Sequence, residues 1–329
     1  MKIVQFSAFG IPYEVAKCIE VPAPGPPDDD EVVIEIEAFP INPVDLLTLE
    51  GRYAVRPALP APLGSESVGR IAAVGAAVGH LQVGDRVINM DRDNWAQQRK
   101  VKAAKAIKMP EGVDVLQLAM LKVNPATARL MLRDFVALQP GDWVIQDAAN
   151  SGVGQNLIRL AKADGIRTVN IVRRDELIEP LKAIGADAVV VDGPNLVEVV
   201  RAETDGGAKL AIDAVAGPAT LRIADCLADG GTLVNYGLLS GEPCRLGSHQ
   251  AVFRGITLTG FWLVRSLGAM APAQIGALYG DLAGRIAAGD LRVEVEATYP
   301  IEEIEAALRH ASRSGRSGKV LVTPNGSVD

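Results

Sequence analysis

The sequence predicts an α/β protein in which a doubly wound parallel sheet follows a β-rich region. Short apolar strands alternate with helical patterns from about residue 118 to residue 262, and strand-like segments bounded by glycines fill most of the chain before them. A turn of small residues follows the first strand of the alternation. We therefore expect a β-rich domain over 1–117, an alternating α/β domain over 118–262, and a tail over 263–329 that returns to the first domain.

The composition fits two domains with a substantial core. The 329 residues are 48% hydrophobic, and a chain of this length suits two domains better than one. The formal net charge of −7 argues against a nucleic-acid partner. Because no apolar run approaches the length of a membrane span, we expect no membrane partner either.

The cysteines predict a reducing environment. Cys18, Cys226 and Cys244 are far apart and odd in number, which matches neither a disulfide framework nor a zinc ribbon. The first residues are already strand-like, without a charged leader and apolar core. We therefore expect a cytoplasmic protein, while a cleaved organelle leader would leave no trace in this sequence.

The first domain is predicted to consist of strands separated by turns. Strands are expected at 32–38, 69–75 and 83–88, where apolar residues run or alternate between glycines. The segment 22–31 combines prolines with acidic residues and predicts a surface loop.

The second domain is predicted to alternate strands with helices, which is typical of a parallel sheet with helices on both faces. The strands are expected at 143–146, 168–172, 188–191, 210–214, 232–236 and 256–261. Glycines at 165, 185 and 230 lie near the expected helix ends, where glycine commonly terminates a helix. The tail adds a helix at 273–288, a strand near Val293, a helix at 301–311 and a strand at 319–323.

The most informative local pattern is the segment 144–155, an apolar strand that runs into a turn of small residues and then into an amphipathic helix. Small residues let the backbone close on a pyrophosphate, and a helix N-terminus offers free N–H groups and the positive end of the helix dipole. The usual three glycine positions fall on Ala149, Ser151 and Gly154, so only the last is glycine. A βα unit that binds nothing is the alternative interpretation.

The residues after the second strand of this domain indicate which dinucleotide is bound. Arg173 lies 19 residues after Gly154, and Arg174 follows it. An acidic residue at this distance contacts the ribose of NAD, whereas an arginine accommodates the 2′-phosphate of NADP. We therefore predict NADPH as the cofactor. Asp175 and Glu176 come next in the chain and leave an NAD-type interpretation open.

Over essentially its whole length the chain resembles the medium-chain dehydrogenase/reductase superfamily, which implies a GroES-like catalytic domain followed by a Rossmann domain. The segments that carry this resemblance are 64–69, 74–75, 83–87, 139–142 and 317–322, the last beginning at Ser317. Within the superfamily the chain looks most like the zinc-independent, mitochondrial-type trans-2-enoyl-CoA/ACP reductases. The sharper matches are Ile-Asn-Pro-Val-Asp at 41–45, Gly-Arg-Tyr at 51–53, Val-Asn-Pro-Ala-Thr at 123–127, Asn-Ser-Gly-Val-Gly at 150–154 and Gly-Phe-Trp-Leu at 260–263. Quinone oxidoreductases are next in similarity.

The residues at the superfamily's zinc positions predict that no metal is bound. Zinc-dependent members carry Cys near position 44 and His just before Glu66, where this chain has Val44, Asp45 and Ser65. A tetrahedral zinc site needs three or four nitrogen or sulfur ligands. The chain has three histidines without ligand-like spacing, His80, His249 and His310. Asp45 with Glu66 could hold a hard cation, but we prefer a helix cap for Asp45 and a structural hydrogen bond for Glu66.

The resemblance implies NADPH-dependent reduction of the carbon–carbon double bond of 2-enoyl thioesters, carried by CoA or by an acyl-carrier protein, in fatty acid metabolism. The family's catalytic tyrosine falls on Tyr53, whose hydroxyl would donate a hydrogen bond or a proton. NADPH:quinone reduction is the second hypothesis and non-catalytic nucleotide sensing the third, which Tyr53 together with the cofactor positions argues against. Those cofactor positions fall on Asn42, Asn124, Thr127, Asn150, Ser151, Gly152, Val153, Gly154, Arg173, Arg174, Tyr236, Leu238, Phe261, Trp262, Leu263 and Lys319.

Two aromatic residues and one strand leave further alternatives. Trp262 would contact the cofactor or pack at a subunit interface, and Trp95 would line the substrate side or pack in the core. The apolar segment 256–263 is expected at the edge of the sheet, and an exposed edge strand invites pairing with another chain. In this superfamily that edge commonly joins two subunits around a two-fold axis, so we expect a homodimer.

Overall fold

The computed structural model describes residues 1–316 and 318–328, so Ser317 of the terminal motif and Asp329 lie outside the described residues. The chain divides into two compact units. Unit 1 comprises residues 1–123 and 272–329, and unit 2 comprises residues 124–271. The tail therefore belongs to the unit that contains the β-rich region. The divisions follow Val123 and Ala271, where the sequence indicated 117 and 262.

The regular elements are named in chain order. The strands are β1 (Lys2–Phe6), β2 (Ala16–Glu20), β3 (Glu31–Pro40), β4 (Ala61–Pro62), β5 (Val68–Val74), β6 (Arg86–Asn89), β7 (Gln98–Lys102), β8 (Ala106–Lys108), β9 (Trp143–Gln146), β10 (Arg167–Val172), β11 (Ala188–Val191), β12 (Ala208–Asp213), β13 (Leu227–Asn235), β14 (Thr257–Gly260), β15 (Val295–Tyr299) and β16 (Lys319–Val322). The α-helices are α1 (Pro12–Val15), α2 (Pro43–Leu49), α3 (Val115–Ala119), α4 (Asn124–Asp134), α5 (Gly152–Ala163), α6 (Ile178–Ala183), α7 (Leu196–Glu203), α8 (Pro218–Asp225), α9 (Leu263–Gly268), α10 (Pro272–Ala287) and α11 (Ile304–Ala311).

Unit 2 contains a six-stranded parallel sheet in the order β11-β10-β9-β12-β13-β14. From β9 the chain moves outward through β10 to β11, and it then crosses to the other side of β9 and continues through β12 to β14. All four residues of β9 are buried, as expected of a central strand covered on both faces. The reversal lies between β9 and β12, and open α/β sheets bind their ligands at the carboxyl ends of the strands at such a point. The predicted doubly wound parallel sheet is confirmed.

Unit 1 consists mainly of antiparallel strands. One sheet runs β15-β16-β3-β5-β6-β8 with β7 paired to β3, and a second runs β2-β1-β4. The ten-residue β3 is its longest strand and pairs with β5, β7 and β16. Phe6, Ile34, Phe39 and Leu308 are among the side chains of its core. Because β16 pairs with β3 near Pro40, the start of β16 lies close to the start of α2.

Two local predictions differ from the structure. Gly165 and Gly185 follow helices with positive φ as predicted, but Gly230 lies inside β13, where the register with β12 is irregular, so its positive φ serves a bulge. The strand predicted to reach Leu263 ends at Gly260, because Leu263 already begins α9. Of the two alternatives for Trp95, core packing is the one observed, since the side chain is 1% exposed and stacks on Phe39 with 5.5 Å between ring centroids.

In the part of the chain that the structure describes, no helix combines the length and the apolar character that crossing a membrane requires.

Candidate active site

In unit 2 the turn after β9 leads directly into α5. Ser151 is the N-cap of this helix, and its hydroxyl accepts a hydrogen bond from the backbone N–H of Gly154 at 3.1 Å. A Cβ atom on Gly154 would lie 2.4 Å from the carbonyl oxygen of Ala149, so only glycine fits there. The chain therefore keeps glycine at the position of the pattern where packing requires it and uses Ser151 as a cap.

The same turn suits an anionic group. The first N–H groups of a helix have no partner within the helix and lie at the positive end of its dipole. A Cβ on Gly152 would lie 3.0 Å from the side-chain amide nitrogen of Asn124, the first residue of α4. Thr127 is buried one turn later on the same helix. The structure thus brings Asn124 to the turn 150–154, and this cradle has the shape and donors that a pyrophosphate requires.

Arg173 and Arg174 follow β10, whose carboxyl end lies beside that of β9 in the parallel sheet. Both side chains are exposed. The Nε atom of Arg174 lies 3.2 Å from a carboxylate oxygen of Glu176. Exposed ion pairs contribute little to stability, so Arg174 can exchange Glu176 for a phosphate at small cost.

The next predicted residues follow β13 at the same edge of the sheet. The phenol of Tyr236 lies near the side chain of Ser151, and burial raises the pKa of the phenol above its ordinary value. Tyr236 is therefore a neutral hydrogen-bonding group at the turn. Leu238 is 42% exposed and leaves an apolar surface there.

The predicted residues after β14 have mainly structural surroundings. The ring of Phe261 is buried and meets Phe135 edge-on, with 6.3 Å between centroids. Trp262 is the N-cap residue of α9, and Leu263 is its first helical residue. Packing within unit 2 therefore explains Phe261, and the cofactor contacts assigned to this segment stay predictions.

In unit 1 six polar side chains form a cluster, called here the buried network, around the start of α2. Its members are Asn42, Asp45, Ser65, Glu66, Lys122 and Lys319. The N-cap residue Asn42 donates its backbone N–H to Asp45 Oδ2 at 2.9 Å. Ser65 donates its backbone N–H to Asp45 Oδ1 at 2.9 Å and its hydroxyl to Asp45 Oδ2 at 3.1 Å. Asp45 thus stabilises the helix start, as the preferred structural interpretation expected.

The other members complete the network. The amide nitrogen of Asn42 donates to Glu66 at 2.6 Å, and its amide oxygen accepts from the ammonium group of Lys319. Glu66 also accepts the backbone N–H of Val123 at 2.8 Å. Lys122 donates to the carbonyl oxygen of Ser65 at 2.7 Å. Both ends of the Asn42 amide are thus engaged inside unit 1, and the cofactor contacts assigned to Asn42 and Lys319 stay predictions.

Burial shifts the titration of all four ionisable groups in this network. It raises the pKa of Asp45 to about 6, against the hydrogen bonds that favour its charged form, and it raises the pKa of Glu66 above its ordinary value. Burial lowers the pKa of Lys319 to about 8 and also lowers that of Lys122. The two carboxyl groups and the two ammonium groups favour each other's charged forms, but burial outweighs this attraction in all four pKa shifts. No cluster of three or more His, Cys, Asp or Glu side chains able to hold a metal occurs among the described residues.

Tyr53 lies in the loop after α2. Gly51 has a φ of +70°, which turns the chain out of the helix, and the backbone N–H of Tyr53 donates to the carbonyl oxygen of Leu47 at 3.1 Å. The side chain is half-buried. The guanidinium carbon of Arg92 lies 5.4 Å from the centroid of the phenol ring, within cation–π range. Arg92, which no motif singled out, thus holds a ring whose hydroxyl can serve as a donor.

Sequence reasoning also passed over two acidic residues of unit 2. Asp147 directly follows β9, and Asp213 is the last residue of β12. Both side chains are buried, at 5% and 0% exposure. One sequence signal could have found them. Each is an acidic residue at the carboxyl end of an apolar strand of the parallel sheet, and the two strands are neighbours in the structure.

Two family models match the chain. The alcohol dehydrogenase GroES-like domain matches residues 28–111, and the zinc-binding dehydrogenase model matches residues 152–274. The chain belongs to the medium-chain dehydrogenase/reductase superfamily. The predicted superfamily and its combination of a GroES-like domain with a parallel α/β sheet are therefore confirmed.

Relatives of known name fall in both predicted subgroups. The chain is 34% identical over 311 residues to the mitochondrial enoyl-[acyl-carrier-protein] reductase of Caenorhabditis elegans, which covers 92% of this chain and 89% of that protein. It is similar to the Escherichia coli quinone oxidoreductase solved with NADPH, with a TM-score of 0.89, 25% identity, and coverage of 98% of this chain and 100% of that chain. It is equally similar to the complex of Etr1p with NADP and crotonyl-CoA, with a TM-score of 0.87, 25% identity, and coverage of 98% and 99%.

Proposed function

We propose that this protein is an NADPH-dependent, zinc-independent reductase of 2-enoyl thioesters carried by CoA or by an acyl-carrier protein. The observation that carries the proposal is the half-buried Tyr53, held under Arg92 in a chain that also has the nucleotide turn 150–154. The 34% identity to an enoyl-[acyl-carrier-protein] reductase over 92% of this chain supports the same substrate class.

The reaction needs one well-placed hydrogen-bond or proton donor from the protein. When bound, NADPH supplies the hydride that adds to the β-carbon of the substrate. The double-bond electrons then move onto the thioester oxygen, and the α-carbon takes up a proton. Tyr53 is suited to donate a hydrogen bond to that oxygen or its own proton to the α-carbon, and it regains the proton from water.

Unit 2 would hold the cofactor. The turn 150–154 would take the pyrophosphate on the backbone N–H groups at the start of α5, and Arg173 with Arg174 would take the 2′-phosphate. The approach of Asn124 to Gly152 and the proximity of Tyr236 to Ser151 support places for both residues beside the turn.

Quinone reduction is the second candidate, supported by the likeness to the quinone oxidoreductase of Escherichia coli. A quinone accepts hydride at a polarised ring system and needs no proton on an α-carbon. Tyr53 therefore separates the two candidates, because its hydroxyl is essential to one reaction and dispensable in the other.

The test compares NADPH oxidation by crotonyl-CoA and by a simple benzoquinone in the wild type and in Tyr53→Phe. With crotonyl-CoA the variant should lose at least about 10-fold in kcat with little change in KM, because the hydroxyl acts in the transition state. Tyr13→Phe is a matched control, since Tyr13 also lies under a guanidinium group, that of Arg309 at 4.0 Å. Unchanged crotonyl-CoA turnover in Tyr53→Phe would favour the quinone reductase.

We further propose a homodimer formed through β14. This strand lies at the edge of the unit 2 sheet, and Val252, Phe253 and Val264 are exposed in the segments before and after it. Sedimentation at micromolar concentration should give twice the mass of the chain, and a monomer would contradict the proposal. The three free cysteines fit a reducing compartment, either the cytoplasm or the mitochondrion named for the relatives.

A further inference from the structure

Two carboxyl groups meet at the end of β9 and β12. Asp147 directly follows β9 and Asp213 ends β12, and the pairing of these two strands brings the two buried side chains together. Oδ1 of Asp147 accepts the backbone N–H of Ala214 at 2.7 Å. Oδ2 of Asp147 is buried and has no donor among the described residues. Two buried carboxylates this close repel each other, and one proton on either of them removes the repulsion and allows a hydrogen bond between them.

The surrounding donors decide which carboxyl carries that proton. Asp213 accepts from the backbone N–H groups of Val215 and Ala216, at 2.9 and 2.8 Å. It also accepts hydrogen bonds from the hydroxyl of Thr220 at 2.7 Å and from the side-chain amide of Asn235 at 3.2 Å. Several donors favour a charged carboxylate, whereas a buried oxygen without one favours the neutral acid. Burial and the charge of Asp213 accordingly raise the pKa of Asp147 well above its ordinary value.

The location of the pair connects it to the nucleotide turn. Asp147 and Asp213 stand on the two strands between which the sheet order reverses. Ala148, the next residue, has a φ of +45°, a strained value for alanine, and its carbonyl oxygen accepts the N–H of Ser151 at 2.9 Å. The pair therefore lies at the base of the turn proposed to hold the pyrophosphate.

The other titratable groups that face the pair do not cancel its charge. On α8, Arg222 interacts electrostatically with Asp147. Its guanidinium group already donates two hydrogen bonds to the carboxylate of Asp192, the one from Nε to Oδ1 at 3.0 Å. From the segment after β13 come the phenol of Tyr236 and the thiol of Cys244, whose pKa values are raised by burial and by the two carboxyls. Both groups are neutral near pH 7, so the shared proton is what limits negative charge at this place.

We propose that the proton shared by Asp147 and Asp213 is a determinant of dinucleotide binding, because it keeps one negative charge away from the phosphates of the cofactor. Asp147 is thus a binding residue in its neutral form, and loss of the proton weakens binding by electrostatic repulsion. The inference rests on the proposed function only in that NADPH is the ligand of unit 2.

The first test measures the Kd for NADPH by calorimetry from about pH 5 to about pH 9, the range in which a carboxyl with a raised pKa titrates. In the wild type, Kd should rise roughly 5- to 10-fold as the pair loses its proton, a typical coupling between sites. Asp147→Asn is nearly isosteric, stays neutral and offers an amide donor to Asp213, so its Kd should lack this rise. Titration of the 2′-phosphate is common to both proteins and cancels in the comparison. An equal rise in both would overturn the inference.

A second test follows the proton directly. If the protonated pair favours NADPH, binding at the pH where the wild-type Kd rises must take up protons, which calorimetry in buffers of different ionisation enthalpy detects. The uptake of Asp147→Asn at the same pH measures what other groups contribute, including the 2′-phosphate with its second pKa of about 6. Greater uptake in the wild type supports the inference, and equal uptake or a net release refutes it. Absence of any NADPH binding would instead refute the proposed function, so the two failures are distinguishable.

Discussion

Both units bury carboxyl groups, but they neutralise them by different means. In unit 1, Asp45 and Glu66 lie among two ammonium groups and several N–H donors, so opposite charges compensate. In unit 2, Asp147 and Asp213 lie against each other, and one proton replaces the missing cation. The first arrangement places opposite charges together, whereas the second contains no cation and depends on a single proton.

The difference follows from what each place must do. The buried network fixes the start of α2 and, through Lys319, connects it to β16. Such a structural role is served by fully satisfied hydrogen bonds. The acid pair stands at the carboxyl edge of the parallel sheet, where ligands bind in this class of fold. Asp147 Oδ2 has no donor there among the described residues, and in the proposed pair a proton takes the place of a cation.

Removal of one charge from the buried network should have the largest effect. Glu66→Leu removes one of the two carboxyl groups near the ammonium groups of the network and takes from the Asn42 amide its acceptor at 2.6 Å. Removing one charged partner from a buried site costs about 3 to 5 kcal/mol. We expect a loss of that size in the free energy of opening of α2, measured by hydrogen exchange.

Two variants serve as controls for this loss. Glu66→Gln keeps the shape and one acceptor oxygen and should lose less, while Glu203→Leu replaces an exposed glutamate of unit 2 and should leave α2 unchanged. A loss below about 1 kcal/mol in Glu66→Leu, the size of a surface effect, would show that the network is not compensated as described.

The cations that unit 2 offers to an anionic ligand should have the next largest effect. Unlike Lys122 and Lys319, Arg173 and Arg174 are exposed. Each charge-assisted hydrogen bond contributes about 1.5 to 3 kcal/mol, so Arg173→Ala with Arg174→Ala should reduce the preference for NADPH over NADH by roughly 10- to 100-fold. The ratio of kcat/KM for the two cofactors checks this expectation.

Arg245→Ala is the matched control, because Arg245 is an exposed arginine of unit 2 paired with Glu242 at 2.9 Å. Its cofactor preference should equal that of the wild type. If the native enzyme uses NADH as efficiently as NADPH, the assignment of the two arginines is wrong, and Asp175 or Glu176 becomes the candidate for ribose recognition.

The fold could be predicted from local patterns because they were strong where the structure is regular. Apolar strands that alternate with helices ending in glycine predicted the parallel sheet. The turn 150–154 lies between β9 and α5, as the sequence pattern predicted. The prediction that Gly230 ends a helix was wrong, because glycine with a positive φ occurs in β-bulges as well as at helix ends. Trp95 could not be assigned from its loop-like neighbours, since only the tertiary fold places it on Phe39.

The site could be predicted only in part, and the limit is physical. Motifs locate residues that act through backbone position, such as Ser151 and Gly154. The acid pair is different, because Asp147 and Asp213 are far apart in the chain and meet only when β9 and β12 become neighbours. The same holds for Lys122, whose partners in the buried network come from another segment of unit 1.

The smallest expected effect is on the stability of unit 2, and it tests directly whether the two units neutralise their buried carboxyl groups by different means. An aspartate in the unfolded chain has a pKa of about 3.9, and burial raises that of Asp147 in the folded state. Between these two pKa values the folded state binds more protons than the unfolded state, so the free energy of unfolding falls as pH rises. The contribution is fully present below about pH 4 and is lost as pH passes the folded pKa.

Asp147→Asn should remove this dependence, because its amide stays neutral and can donate to Asp213. Above the titration of the pair the variant should be about 1 kcal/mol more stable than the wild type, since a buried polar atom gains a partner. Urea unfolding followed by the fluorescence of Trp143 and Trp262, both in unit 2, measures the difference at several pH values. Asp290→Asn, at an exposed position of unit 1, should leave the curve unchanged. If Asp147→Asn were less stable than the wild type at every pH, Asp147 would be an ordinary buried carboxylate, and unit 2 would neutralise its acids in the same way as unit 1.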